Sequence, residues 1–415
     1  MRNQWFLFFI LVPLLSVGCL GSGKWHKGQD RLAPGDLLLE QLTVQDNTEP
    51  LFASRLPEIP VRQRFRFCCA FGTDMGVRLG QMPIPFLKVG NVLEIDDLGP
   101  HRYDGATAAI DDERENAFPG GEANGMLYTC RGGFLDTAHI REQVDWVAFF
   151  ASQIDRHLEE GTEVELTPEG AQRRLVLEPV PQSIIEKYGR DDVVLAVSQW
   201  LAYQGSVWHE IAQWYGWSLV NLYPETVSGF SPEDPISNVI GIQLLSGVDI
   251  EEVLGSEKQY NHQVDQLMMT ALHRLGPVSS ELAKQILHQV DKTWWDSNAR
   301  LPDRNLVRKR YLDTDTELEA WLVPETMLDT QVEESLAQEC GPEPKPALFR
   351  IPESLDGIHF SEFATLEITP IGKPAQHDVF GLIGPTFTQD DFPQIMENVR
   401  AQNEEAFGPR AHLPD

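Results

Sequence analysis

Ser206-Val207-Trp208-His209-Glu210-Ile211-Ala212-Gln213-Trp214-Tyr215-Gly216 is the stretch on which the reading of this chain turns. It continues an apolar run that starts at Val193 and includes Val194, Leu195, Val197, Trp200 and Leu201. Together these residues cover most of a helical circumference, and a helix apolar nearly all round is a buried one. Asp191 and Asp192 put negative charge at its start, where the helix dipole favours it, and Gly216 is a natural stop. Gln199, Tyr203, Ser206, Glu210 and Gln213 recur at i, i+4, i+7, i+11 and i+14, so they share one face, with His209 beside it. A polar stripe in a buried helix needs partners, from another helix, water, a metal or a substrate.

Upstream, Arg131-Gly132-Gly133-Phe134-Leu135-Asp136 leads into a helix expected from Thr137 to about Leu158, with Asp136 as N-cap. It carries His139 in its first turn and Arg141 just after. The dipole there disfavours an imidazolium by about 0.3–1 kcal/mol, so His139 is expected neutral. Downstream, Ser231-Pro232-Glu233-Asp234 reads as a helix start: Ser as N-cap, Pro at N1, an acid at N3, with Asn238 following. That reading explains Glu233 and Asp234 by capping alone. Histidines suit metal ligation or proton transfer, and a buried Glu suits general-base work. Glu210 is the hardest of these to dismiss, because a buried Glu is rare unless paired; Arg141 is its expected salt-bridge partner in a purely structural account. The zincin pattern fails at one point: the position four after His209 is Gln213, not a second His. A zinc site would need His139 or an acid of the third motif as substitute. No Gly-x-Ser-x-Gly elbow and no phosphate loop occur. His262, His273 and His288 sit on ordinary amphipathic patterns and read as filler.

The rest of the chain fits an α+β class, a mainly helical core with small strands and hairpins at the N-terminal side and in the C-terminal tail. Strands are expected at Arg64–Phe71, Phe86–Ile95 and Met126–Cys130, and a long exposed loop at 104–123. A hairpin turns at Pro168-Glu169-Gly170, between 162–166 and 173–178. Helices follow at about Glu257–Arg274 and Ser279–Trp295. Residues 300–348 read as irregular and charged; then come strands near 348–351, 364–368 and 379–383, and a last helix capped by Thr388 with Asp391 at N3. The chain divides at 61–300, a core with the His/Glu helices, and 301–415, a mixed extension. Sixty-three acidic residues against 33 basic ones give a net charge of −30, which argues against nucleic acid or anionic lipid surfaces as partners. Besides Cys19 there are Cys68, Cys69, Cys130 and Cys340; a bridge from Cys68 or Cys69 to Cys130 and free buried thiols are equally open.

The quoted motifs, with Cys69-Ala70-Phe71-Gly72, resemble an uncharacterised family of bacterial lipoproteins known by a domain-of-unknown-function label. The resemblance covers roughly residues 60 to 300. It implies a lipoprotein context and brings no activity, cofactor or catalytic residue. The N-terminus is consistent with it. Arg2 precedes an apolar run, Trp5–Val17, shorter than the ~20 residues that span a bilayer. Leu15-Ser16-Val17-Gly18-Cys19 resembles a lipobox, which makes residues 1–18 a signal peptide, Cys19 the lipidated residue and 19–60 a tether. Leu20, in place of Asp, implies outer-membrane residence facing the periplasm.

Two functional readings follow. In one, the protein is hydrolase-like, with His139, His209 and Glu210 lining a site between helices as catalytic residues or as ligands of a divalent metal such as zinc. Asp136, Arg141 and Asn238 then stand behind them. In the other, it is a non-catalytic envelope lipoprotein that binds a protein or ligand, and the same cluster is structural.

Overall fold

The structure, a computed structural model, describes residues 55–66, 71–79, 82–89, 91–105, 122–217, 225–300, 306–371 and 384–414. The expected signal peptide, Cys19, the tether up to residue 54, Cys68, Cys69, most of the 104–123 loop and the 379–383 strand lie outside these residues; residues 55–60, expected as tether, are docked on the core, with Leu56 and Ile59 buried and their N–H groups donating to Asp155 and Ser152. The elements in order are β1 (Met75–Leu79), β2 (Met82–Val89), β3 (Met126–Thr129), β4 (Gly133–Asp136), α1 (Thr137–His157), β5 (Thr162–Leu166), β6 (Ala171–Leu177), α2 (Gln182–Tyr188), α3 (Arg190–Trp214), α4 (Asp234–Gln243), α5 (Ile250–Leu254), α6 (Glu257–Leu275) and α7 (Ser280–Gln289). They continue with β7 (Glu317–Glu319), α8 (Thr330–Cys340), β8 (Leu348–Arg350), β9 (Ser354–Leu355), β10 (Ile358–His359), β11 (Ala364–Pro370), β12 (Phe387–Thr388) and α9 (Phe392–Phe407). This is an α+β fold: helices dominate and the sheets are small and antiparallel.

The expected central helix is α3. Val193, Val194, Val197, Trp200, Leu201, Trp208 and Ile211 are all at or below 1% exposure, and Gly216 ends it at φ +93°. Its polar stripe finds partners inside the protein: Gln199 Nε2 donates to Ile242 O at 3.1 Å, and Tyr203 OH to Asp315 O at 2.7 Å. Helix α1 packs along α3, and α4 crosses α1 at unusual closeness. A Cβ on Gly241 would stand 2.2 Å from Ile140 O, so only glycine allows the approach. That crossing brings Asn238, one turn before Gly241, onto His139, one residue before Ile140. The hairpin β5–β6 extends into a four-stranded sheet, β12-β11-β6-β5. Strand β11 pairs along the whole of β6, Ala364 opposite Leu177 through Pro370 opposite Ala171. Residues from both sides of position 300 therefore share one sheet and one hydrophobic core.

Several local expectations are corrected. Residues 64–66 are not a strand. Arg62 and Arg66 are buried and ion-paired, Arg66 with Glu122 at 2.7 Å and Asp145 at 2.9 Å, and Glu122, expected in the exposed 104–123 loop, is buried with them. The second expected strand lies earlier, at β2. α7 stops at Gln289, because Trp294 and Trp295 fold back into the core, where Trp295 Nε1 donates to Leu287 O. α4 begins at Asp234 with Pro235 in its first turn, three residues after the expected cap. The stretch expected to be irregular contains α8. Cys130 is bridged to Cys340, not to Cys68 or Cys69. Among the described residues no helix is long and apolar enough to cross a membrane.

Candidate metal centre

The site is built where α1, α3 and α4 meet. Asp136 caps α1 as expected, accepting from Ala138 N at 2.7 Å, and its own N–H donates to Ser237 Oγ on α4 at 2.8 Å. One turn into α1, the His139 ring meets His209 of α3 edge to face, with centroids 5.6 Å apart. One ligand atom each from His139, His209 and Glu210 lies within 4.8 Å of the others. The same holds for Asp136, His139 and Asp234. His139 belongs to both sets, so the two form one continuous centre. Its members are deeply buried: Asp136 0%, Asp234 1%, Glu210 2%, His139 3% and His209 9% exposed.

Both imidazoles are oriented from behind. His139 Nδ1 pairs with Asn238 Oδ1 at 3.0 Å, while its Nε2 stands 3.2 Å from Asp234 Oδ1. His209 Nδ1 bonds to Glu169 Oε1, and Glu169 is in turn fixed by Arg173 at 2.6 Å. A carboxylate or carbonyl oxygen on Nδ1 keeps the proton there and leaves Nε2 as the electron-pair donor, the usual support of a metal-binding histidine. Gln213, which stands where a zincin has its second His, donates Nε2 to His209 Nε2 at 2.8 Å. Glu210 Oε2 accepts from Phe230 N at 2.6 Å, and Glu210 Oε1 has no hydrogen-bond partner. Phe230 holds a left-handed backbone, φ +57°, to present that N–H, a strained geometry of the kind that gathers at functional sites.

Charge is unbalanced here. Asp136, Glu169, Glu210, Glu233 and Asp234 are all at or below 2% exposure, and the guanidiniums that act on them are Arg173 and Arg62, on Glu169, and Arg310. The remaining negative charge is met by protons or by a bound cation. Burial opposes a charge on His139, but Asp234, Asp136 and Glu210 outweigh it and push the imidazole up to about 10. The expectation of a neutral His139 from the helix dipole alone is thus overturned: nearby full charges exceed a partial one. Burial pushes Asp234 up to about 8 against the pull of His139, and pushes Glu233 well above the usual carboxylate range with the help of Asp234. His139, Asp234 and Glu233 are thus all shifted toward their protonated forms. Glu169, although buried, is held below its ordinary value by Arg173 and His209. Arg310 is lowered to about 10 by burial, with Glu210, Asp234 and Glu233 sustaining its charge.

His139, His209, Glu210, Asp136 and Asn238 come together. Arg141 does not join them: its guanidinium donates to Gly99 O and lies near Glu122, and the cation facing Glu210 is Arg310. Sequence reasoning missed Glu169, Arg173 and Arg310 and dismissed Glu233 and Asp234 as caps. Ser231 does not cap; its hydroxyl donates to Glu233 Oε1 and Asp234 Oδ2, each at 3.0 Å. Two adjacent acids that an N-terminal Pro pair displaces from capping geometry are the signal that was there to be read.

The fold and this centre define a helical α+β protein with a buried His/carboxylate cluster of metal-ligand type. Residues 56–324, more than half of the chain, match the family described as "Protein of unknown function (DUF4056)", and the chain belongs to it. No curated protein and no solved structure matches the chain.

Proposed function

We propose that the protein binds one divalent cation, zinc foremost, through His139, His209 and Glu210 with Asp234 adjoining, and uses it in hydrolytic chemistry in the cell envelope. The observation that carries this reading is the pair of histidines. Each has its Nδ1 tied to a buried oxygen, His139 Nε2 stands 3.2 Å from Asp234, and one ligand atom each from His139, His209 and Glu210 lies within 4.8 Å of the others. Two imidazoles and carboxylates suit zinc, manganese or iron(II), and a ligand set that leaves a position for water activates that water as a nucleophile. Glu210, with one unpartnered oxygen, then ligates the ion or takes the water's proton.

The test is metal analysis of the purified full chain, followed by zinc titration of the Glu210→Gln variant. A near-stoichiometric metal, lost in a variant of near-native stability, is expected. Glu169→Gln and Asn238→Ala should each weaken binding by about 10–100-fold. A parent that neither carries nor binds a divalent ion overturns the reading, and iron as the resident ion overturns its hydrolytic half.

Burial supports a second reading, a non-catalytic protein whose cluster is structural. His209 alone of the five reaches even 9% exposure, and the cavities of about 580, 670 and 810 Å³ are lined by none of them. Failure of Glu210→Gln to fold would favour it. Anchoring rests on the sequence Gly18-Cys19. With two or more acyl chains at Cys19 the protein is held at the outer membrane, facing the periplasm. Cys19→Ser should release it from the membrane fraction, and unchanged association would refute the anchor.

A further inference from the structure

We infer, resting on the divalent cation proposed at His139, His209 and Glu210, that Arg310 is a positioning residue for that centre. Through the Gly229–Phe230 peptide it holds Glu210 Oε2 and leaves Oε1 as the oxygen offered to the ion or its water. The two ends of one amide carry the link. Arg310 Nη1 donates to Gly229 O, and the N–H of the same peptide, on Phe230, donates to Glu210 Oε2 at 2.6 Å. A cation on the carbonyl polarises the amide and strengthens its N–H as a donor, and the carboxylate at the other end strengthens the carbonyl as an acceptor in turn. Glu210 acts on the guanidinium by charge, and no direct hydrogen bond joins the two side chains among the described residues. Glu210 Oε1, in a residue 2% exposed, has no hydrogen-bond partner.

The turn that carries this peptide is held from several sides. Phe230 keeps φ +57°, which a bulky side chain rarely adopts. Its own carbonyl accepts from Tyr311 N at 2.9 Å, the residue after Arg310. Arg310 also reaches Thr226 O and Val227 O at 3.4 Å and Val307 O at 3.1 Å. One planar guanidinium with five donors can serve several carbonyls at once, and an ammonium cannot hold them in the same geometry. The guanidinium is 5.0 Å from the Trp214 ring, and Trp214 ends α3 one turn after Glu210. A Cβ on Gly229 would stand 3.2 Å from Trp214 N and 3.5 Å from Glu210 O, so the turn lies directly on the last turn of α3. A purely structural clamp needs only the carbonyls. Here the strained residue's N–H ends on a carboxylate of the centre, and strain of this kind gathers where geometry is used.

The test uses the full chain. Gly–Phe occurs twice in it, at Gly133–Phe134 and Gly229–Phe230. Isotope labels in the glycine carbonyl carbon and the phenylalanine nitrogen therefore give one NMR correlation for each of two peptides, and Phe134→Leu assigns them. The Gly229–Phe230 signal reads both ends of the link. Zinc is titrated into the metal-stripped parent, Arg310→Lys and Arg310→Gln, each at a temperature where circular dichroism shows it folded. In the parent, zinc should move this signal to saturation. Arg310→Gln should bind zinc about 10–100-fold more weakly, and Arg310→Lys, which keeps a charged donor, should lose less. A parent that binds zinc without moving the signal, variants with parental affinity, or equal losses in both variants overturn this inference and leave the metal reading standing. A parent that binds no divalent ion overturns both. Should neither variant fold, the parent's signal decides alone.

Discussion

The buried ion cluster beside α1 makes the fold acid-sensitive in a way that one substitution should remove. Glu122 is 2% exposed and receives Arg66 Nε at 2.7 Å and Nη2 at 3.0 Å, and Arg66 reaches on to Asp145. Burial opposes the charge of Glu122, yet Arg66, Arg141 and His101 hold its carboxyl down to about 2 from 4.5. A carboxyl depressed in the folded state stabilises above its unfolded value and loses that contribution as pH falls through the folded one. The shift corresponds to about 3 kcal/mol at neutral pH, of which about 2 kcal/mol is gone by pH ~3. Glu122→Gln leaves Arg66 with one carboxylate fewer, so it should cost about 3–5 kcal/mol at neutral pH. Its stability should then fall less between pH ~6 and ~3 than the parent's, by about 2 kcal/mol. Urea unfolding at a series of pH values measures both, and other titrating groups cancel in the comparison. Parallel curves for parent and variant would refute the assignment of Glu122 to the native-state ion pair.

Ile211→Ala empties a fully buried position on α3 and should cost about 2–5 kcal/mol in chemical denaturation; less than about 1 kcal/mol would mean the helix is not central. Gly241→Ala drives a methyl into Ile140 O, so it should destabilise strongly and disturb the His139–Asn238 contact, seen as joint loss of stability and metal affinity; a variant as stable as the parent would show that α1 and α4 can part without cost. Reduction of Cys130–Cys340, which spans 210 residues and joins β3 to the end of α8, should lower stability by about 2–5 kcal/mol in unfolding under reducing conditions; an unchanged midpoint would count against the bridge.

What was legible in the sequence was whatever local pattern decides. The apolar circumference of α3 announced a central helix whatever packed against it, and Asp136 before Thr137 announced the start of α1. The β5–β6 hairpin followed from its turn residues. The histidines and Glu210 were singled out because polar groups in a buried helix demand partners, and the partners exist. Their identities were not legible, because they are long-range. Glu169 read as a turn residue, and it is buried only because the hairpin folds onto α3, where Trp208 Nε1 also holds its carbonyl at 3.0 Å. Arg310 sat in a segment that looks irregular, and only tertiary packing puts it across from Glu210.

Ser231–Asp234 is the instructive case. Ser, Pro and two acids satisfy the capping pattern and also satisfy a polar centre, since both uses need short side chains with oxygens at a helix start. Pro235 separates them. It fixes the first turn at its own position, so Glu233 falls at the N-cap position without a side-chain capping bond and Asp234 opens the helix itself. Displaced from that duty, Asp234 faces His139 and Glu233 is sealed at 0% exposure. A sequence that spends two carboxylates on the inside of a protein, next to a third on Glu210, destabilises its own fold unless something positive joins them. Arg310 supplies one charge, and the divalent cation proposed at His139, His209 and Glu210 would supply the rest.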